Sequence, residues 1–365
     1  MVVPRSTEGY FTIVIQCDDN IVGNTILCPP TYLVHFRGSI AHSIPPVSQI
    51  YHHDDKLGRT EIECYLSAAG TYEVWVWPDR DERGACPANP TSGPLGTVKG
   101  SGETLLVVTQ GEEVDHLRSC TVDDYQGEMP GRWVSVGHIR QEYRKLLPYP
   151  STKAGMPSFV YLPYQCKRNP LSYAAVQASP IKHVAYLGDS IFRTSFCNHL
   201  YPILHDGTIG QDCAYSGDIK GYHLSDKEFK IDDTTYSLRF ISNHPADMGP
   251  AFATLSDEVS HVLINIGMWF GDSKEGDYIN AVTTILNLLW HRFGDKPHYT
   301  WVDTYSLSPA VMCYETMRRV LMRRHGQWAK IALDDWHDRH PSVKLNQIKS
   351  FPIVDSRPES TSDGR

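Results

Sequence analysis

The sequence has no apolar run approaching the ~18 residues that a membrane-spanning helix requires. Its first residues, Met1-Val-Val-Pro-Arg-Ser-Thr-Glu8, carry no apolar signal core. The chain is therefore expected to be soluble, or to stand without a targeting segment that its gene encodes. A surplus of positive charge is also missing. Lys and Arg total 34 against 42 Asp and Glu, a formal net charge of -8. That balance does not draw the chain to nucleic acid or to an anionic membrane. The short basic clusters Arg318-Arg319 and Arg323-Arg324 read as the solvated face of a helix. No Cys-x-x-Cys pair occurs among the nine cysteines, so no structural zinc site is expected. Nine cysteines are nevertheless many for a reducing compartment. Some disulfides, and with them the secretory pathway, are expected, and the odd count leaves at least one thiol free.

At 365 residues the chain is too long for one ordinary core and implies about two domains. Residues 1–110 read as β-structure. Tyr10-Phe-Thr-Ile-Val-Ile-Gln16 and Thr31-Tyr-Leu-Val-His-Phe36 are short β-branched and aromatic runs between Gly, Pro, Asn and Asp. In Gly70-Thr-Tyr-Glu-Val-Trp-Val-Trp-Pro78, Tyr72, Val74 and Val76 alternate with Thr71, Glu73, Trp75 and Trp77, so both faces carry bulk. The region is expected to be a small β-sandwich, immunoglobulin-like. Residues 111–180 are rich in Pro, Tyr and Gly, show no clear period, and read as an irregular connector packed on a domain.

From 181 to 365 strands and helices alternate. His183-Val-Ala-Tyr-Leu187 is a short apolar run, and Phe192, Phe196 and Leu200 follow it at helical spacing. His261-Val-Leu-Ile-Asn-Ile266 is a second run. Tyr278, Val282, Ile285, Leu286, Leu289 and Phe293 then mark an amphipathic helix with Asp277 as its expected cap. Tyr299-Thr-Trp-Val-Asp303 is a third strand, a helix is expected over 312–339, and Phe351-Pro-Ile-Val354 is expected to be the fourth strand. Continuous apolar strands separated by helices imply an α/β fold with a parallel sheet covered on both faces. Ligands bind such sheets beyond the carboxyl ends of the strands.

Ser190 stands just past the first of these strands, at the start of a helix. Free backbone N–H groups and the positive end of the helix dipole gather there. They can stabilise an oxyanion formed when a serine hydroxyl attacks an ester carbonyl. Gly188 permits a tight turn, and Asp189 can cap backbone donors. Gly-Asp-Ser alone also suits an ordinary helix cap. Arg193 tips the balance, because a cation in the first turn opposes the dipole and needs another task to hold it there. Three residues on from Ser190, it points to the same side.

Tyr186-Leu-Gly-Asp-Ser-Ile-Phe-Arg193 resembles the Gly-Asp-Ser-x-x-Arg block of the PC-esterase branch of the SGNH superfamily. That branch includes the trichome-birefringence-like polysaccharide O-acetyltransferases, the sialate O-acetyltransferases and the NXPE proteins. The resemblance extends over Cys120, Gly131-Arg-Trp-Val134 and Cys166, and to the β-sandwich in front. Asn265-Ile-Gly-Met-Trp269 is similar to the family's third block, although the ordinary Gly-x-Asn-Asp of SGNH esterases is absent. The resemblance implies a three-layer SGNH-type domain with Ser190 as nucleophile. Gly188, Asp189, Arg193, Asn265, Gly267 and Trp269 would surround the oxyanion and substrate. It implies no metal and no organic cofactor. The partner would be a glycan or acetylated carbohydrate, with an acetyl donor if the reaction is transfer, and the setting the Golgi lumen or the cell exterior. Cys120 and Cys166 match the family's cysteine positions and flank the connector, so they are expected within the ~7 Å Cα separation of a disulfide.

A serine nucleophile needs a base, and the base needs an orienting carboxylate. The family supplies both from one Asp-x-x-His element after the last strand. Asp334-Asp-Trp-His337 has the spacing but falls inside the expected helix, where it shares a face with His340. After the last expected strand, Asp363-Gly-Arg365 supplies the first three residues of the element. The expectation is a chain that stops one residue before its histidine, with Asp363 as the orienting carboxylate and His337 as the internal alternative. The same fold without that histidine would be a non-catalytic carbohydrate-binding or interaction protein. Trp75, Trp77, Trp269 and Trp336 are candidate platforms for sugar rings in either case.

Overall fold

The computed structural model describes residues 2–4, 10–16, 31–38, 41–43, 50–54, 58–65, 70–79, 103–107, 117–126, 129, 131–135, 159–168, 173–189, 192, 196, 200, 227–241, 244–267, 270, 273–304 and 319–350. The first eight strands are β1 (Val2–Pro4), β2 (Tyr10–Gln16), β3 (Thr31–Gly38), β4 (Ala41–Ser43), β5 (Ile50–Asp54), β6 (Arg59–Tyr65), β7 (Gly70–Asp79) and β8 (Glu103–Val107). Seven of them form two antiparallel sheets, ordered β1-β2-β6-β5 and β3-β7-β8. Alternate residues turn inward. Phe11, Ile13, Ile15, Ile62 and Cys64 of the first sheet share one core with Tyr32, Val34, Phe36, Tyr72, Val74 and Val76 of the second. Phe11 meets Phe36 edge-on across this core, with ring centroids 5.2 Å apart.

The connector is more regular than its composition suggests. It contains α1 (Val122–Gln126), β9 (Gly131–Ser135), β10 (Phe159–Pro163) and α2 (Tyr173–Gln177). β9 pairs antiparallel with β10, and on its other side with β4. Cross-strand partners far apart in sequence hide a strand from any local period, and β9 and β10 are such partners. A disulfide joins Cys120 to Cys166 with a Cα separation of 4.9 Å, as expected.

The remaining strands are β11 (His183–Gly188), β12 (Lys227–Ile231), β13 (Thr234–Phe240), β14 (His261–Asn265), β15 (His298–Val302) and β16 (Leu345–Ile348). They form one six-stranded sheet in the order β12-β13-β11-β14-β15-β16, parallel throughout except for the β12–β13 hairpin. The fold is mixed α/β. Its helices include α3 (Gly249–Ala253), α4 (Glu275–Phe293) and α5 (Arg319–Arg339). Ala185 and Leu187 of β11 enter the core under α4 and α5, while Val184 packs with Phe196, Tyr236 and Leu238 on the opposite face. Both faces of the sheet are thus buried. Tyr278, Val282, Ile285, Leu286, Leu289 and Phe293 form the buried stripe of α4. Each fully buried aliphatic side chain there contributes about 1.5–3 kcal/mol.

Two expectations need correction. The strand after α5 is Leu345–Ile348, six residues earlier than read, because Phe351–Val354 offered the apolar run and an edge strand needs none. Residues 351–354 lie outside the described residues. The α4 cap position is Lys274 without a side-chain bond, and Asp277 sits inside the first turn.

Candidate active site

Gly188 ends β11, with Phe240 and Asn265 as its partners on either side. A Cβ on residue 188 would lie 2.5 Å from the Phe192 ring and 2.9 Å from the Asn265 carbonyl oxygen, so only glycine fits. The Asp189 side chain is buried, and its Oδ1 accepts a hydrogen bond from the Phe192 N–H at 3.1 Å. That bond from the third residue along is the geometry of a helix N-cap. Phe192 is held on the other side by stacking on Tyr186 at 4.2 Å. Packing and hydrogen bonding therefore fix Gly188, Asp189 and Phe192. Ser190, Arg193, Trp269 and Asp363 themselves lie outside the described residues.

Asn265 does not play the expected donor role. Its Nδ2 donates to the carbonyls of Val302 and Asp303, at 2.9 and 3.0 Å. Both amide hydrogens are spent, so none is left for an oxyanion. The amide orientation follows from chemistry, since a reversed group would set its oxygen against two carbonyls. Its Oδ1 is buried with no partner among the described residues. Gly267 follows with φ 154°, a region that favours glycine. A Cβ there would lie 1.8 Å from Thr304 Oγ1, which itself donates to the Ile266 carbonyl at 2.7 Å.

His337 and Asp334 do not form a dyad. The Asp334 carboxylate pairs with Lys330 Nζ at 2.6 Å. The Nδ1 of His337 is buried and unpartnered among the described residues. Both stand near the end of α5, which leads into the amino end of β16, where Tyr299 N–H donates to Lys344 O. Gly188 and Asp303 mark the opposite, carboxyl ends, about 13 Å along the strands. Trp336 is fully buried and donates to Asn287 Oδ1 at 2.9 Å, so it is no sugar platform. A serine–histidine contact inside the sheet is not a rival site. Ser237 is fully buried and gives its hydroxyl hydrogen to Glu228 Oε1 at 2.9 Å, while His183 Nε2 stands 2.8 Å from its oxygen.

Two groups escaped the sequence reading. Asp303, one residue past β15, is buried, and burial pushes its carboxyl up to about 6. His325 on α5 is fully buried and stacks on Tyr278 at 4.2 Å. Desolvation pushes its pKa down to about 3. The Phe270 backbone approaches the ring, but neither ring nitrogen has a hydrogen-bond partner of normal geometry among the described residues. A carboxylate just past an apolar strand of a parallel sheet is a readable signal. A lone histidine in a basic helix is not.

No protein-family model and no curated protein matches the chain. Solved structures similar to it include the carbohydrate acetylesterase Est24 from Sinorhizobium meliloti, at 12% identity and a TM-score of 0.28, over 49% of this chain and 95% of that one. The enterobactin esterase FES from Shigella flexneri is similar at 10% identity and a TM-score of 0.23, over 99% and 93% of the two chains. Likeness this low carries no weight for the chemistry of this chain.

Proposed function

We propose that the chain carries out serine-dependent acyl transfer on carbohydrate acetyl esters or hydroxyls, through an acyl-Ser190 intermediate. The observation that carries this reading is the Gly188–Asp189 turn at the carboxyl end of β11, with buried Asp189 capping the Phe192 N–H. It supports a serine whose hydroxyl meets a cluster of backbone donors, the arrangement that stabilises a tetrahedral oxyanion. Arg193, Gly267 and Trp269 are proposed to border the substrate, and Asp363 to orient the imidazole base. Attack by water on the acyl-enzyme makes an esterase, and attack by a sugar hydroxyl with an acetyl donor makes a transferase. Neither route needs a metal or organic cofactor.

The two-sheet unit is read as an immunoglobulin-like sandwich over residues 1–110. A connector over 111–180 joins it to an SGNH-type three-layer domain over 181–365. The Cys120–Cys166 disulfide supports a secretory setting. The test is incubation with a fluorophosphonate probe and peptide mapping of the label. The expected label is on Ser190, slow in the 365-residue chain, faster in a form extended by a histidine after Arg365, and lost in Ser190→Ala. An unlabelled chain that still binds acetylated glycans would replace this reading with a carbohydrate-binding protein.

A further inference from the structure

We infer that Asp303 is a positioning residue that holds the carboxyl end of β16, through Ser350, against β15 and α5. Its consequence for chemistry rests on the serine reading above. Four hydrogen bonds converge on this residue. Its N–H donates to Ile348 O at 3.0 Å. Its carbonyl accepts from Ser350 Oγ at 3.0 Å and from Asn265 Nδ2 at 3.0 Å. Its Oδ1 accepts from Gln347 Nε2 at 2.7 Å. Gln347 Nε2 also donates to the Gly326 carbonyl at 3.0 Å, which brings α5 into the same junction. The ends of β14, β15 and β16 and one turn of α5 thus meet at a single residue, three of the bonds through its backbone and the Gln347 bond through its carboxyl.

The helix is shaped to admit it. A Cβ on residue 326 would lie 2.9 Å from Asp303 Oδ2, so residue 326 is glycine in the middle of α5, although glycine weakens a helix interior. A buried carboxyl is also a poor choice for stability alone, since an uncharged isostere would offer Gln347 the same acceptor without a buried charge. Groups of this kind, shifted by burial and set at the ligand end of an α/β sheet, mark functional sites more often than plain structural joints. From Asp303 the order passes in two directions. Through Asn265 it reaches the strand end paired with Gly188, and through Gln347 and Ser350 it reaches the last described residues before the Asp363 segment.

The test uses the full chain with Asp303→Ala, Asp303→Asn and Gln347→Met. Two quantities are read at pH 7: deuterium exchange of the 345–350 amides, and the kinetics of fluorophosphonate labelling at Ser190. Asp303→Ala and Gln347→Met are expected to raise exchange about tenfold. They are also expected to slow labelling about tenfold through the first-order rate constant, with the half-saturating probe concentration unchanged. Asp303→Asn, which keeps an oxygen for Gln347, restores both. Unchanged exchange in the first two variants overturns the inference. Raised exchange with wild-type labelling reduces Asp303 to a structural joint and overturns it equally. If the wild-type protein takes no label at Ser190, the serine reading has failed, and the exchange measurement alone decides whether Asp303 holds β16. Should Asp303→Ala fail to fold, Gln347→Met breaks the same bond from its other side.

Discussion

Asp303 is an acid whose folded form prefers its proton. Burial raises its pKa from the ordinary 3.8 to about 6, against a smaller downward pull from the Gln347 hydrogen bond and from Lys349, one residue past β16. The groups around it include Tyr278 on α4, whose hydroxyl is pushed up chiefly by burial and further by Asp303, and the neutral His325 next to Gly326 on α5. The native state therefore binds more protons than the unfolded chain between pH 4 and 6. Stability falls as pH rises through that window, by about 3 kcal/mol at most. Asp303→Asn removes this slope. Its melting temperature is expected to match wild type near pH 4 and to exceed it at pH 7, and parallel curves across that range would refute the burial argument. A second substitution tests the site's backbone. Gly267→Ala places a methyl 1.8 Å from Thr304 Oγ1 on a backbone with φ 154°. Overpacking and strain together are expected to cost roughly 2–4 kcal/mol in urea denaturation. The local geometry of the candidate site was legible where chemistry and local spacing coincide, as in Gly188-Asp189. Asn265 was legible as a polar strand end but not in its bonds, because whether an amide faces a ligand or the next strand depends on a neighbour 37 residues away.

Elements buried on both sides were the legible ones. The runs read at 10–16, 183–187, 261–266 and 299–303 match β2, β11, β14 and β15 to within one residue at each end, because a strand covered by packed layers has few polar residues to blur it. β16 escaped because it is an edge strand whose residues Asn346 and Gln347 serve hydrogen bonds. β12 and β13 escaped because Lys227, Glu228, Lys230, Asp232 and Asp233 conceal a hairpin behind surface charge. β16 is closed on its outer side by α1, where Tyr125 O accepts from Lys349 N–H at 3.4 Å and Gln126 Nε2 donates to Asn346 Oδ1 at 3.1 Å. The start of α1 is pinned by the bidentate Arg118–Asp124 pair and by the disulfide two residues before the helix. Replacing Cys120 and Cys166 with serine opens a loop with a sequence separation of 46, worth about 4 kcal/mol by chain entropy. Deuterium exchange is expected to rise first in α1 and β16. Loss confined to β9 and β10 would show that the disulfide does not reach the sheet.

Across the whole molecule the two large cores are linked through the connector rather than through a free linker. β4 of the first region pairs with β9, and α1 packs on β16 of the last. Calorimetry is expected to show one unfolding transition for the oxidised chain and two after reduction, because the connector carries the coupling. Two transitions in the oxidised chain would place the break elsewhere. The six-stranded sheet also has two unlike borders. At β12 the outermost strand is Lys-Glu-Phe-Lys-Ile, whose charges discourage another strand from adding on. At β16 the sequence Leu-Asn-Gln-Ile carries no charge, and among the described residues α1 is what stands in the way of a newcomer. A reduced chain that has lost α1 from this border would offer its backbone to the same border of a second molecule. Material made in a reducing environment should therefore self-associate through residues 345–348, whereas material made under oxidising conditions should stay dispersed.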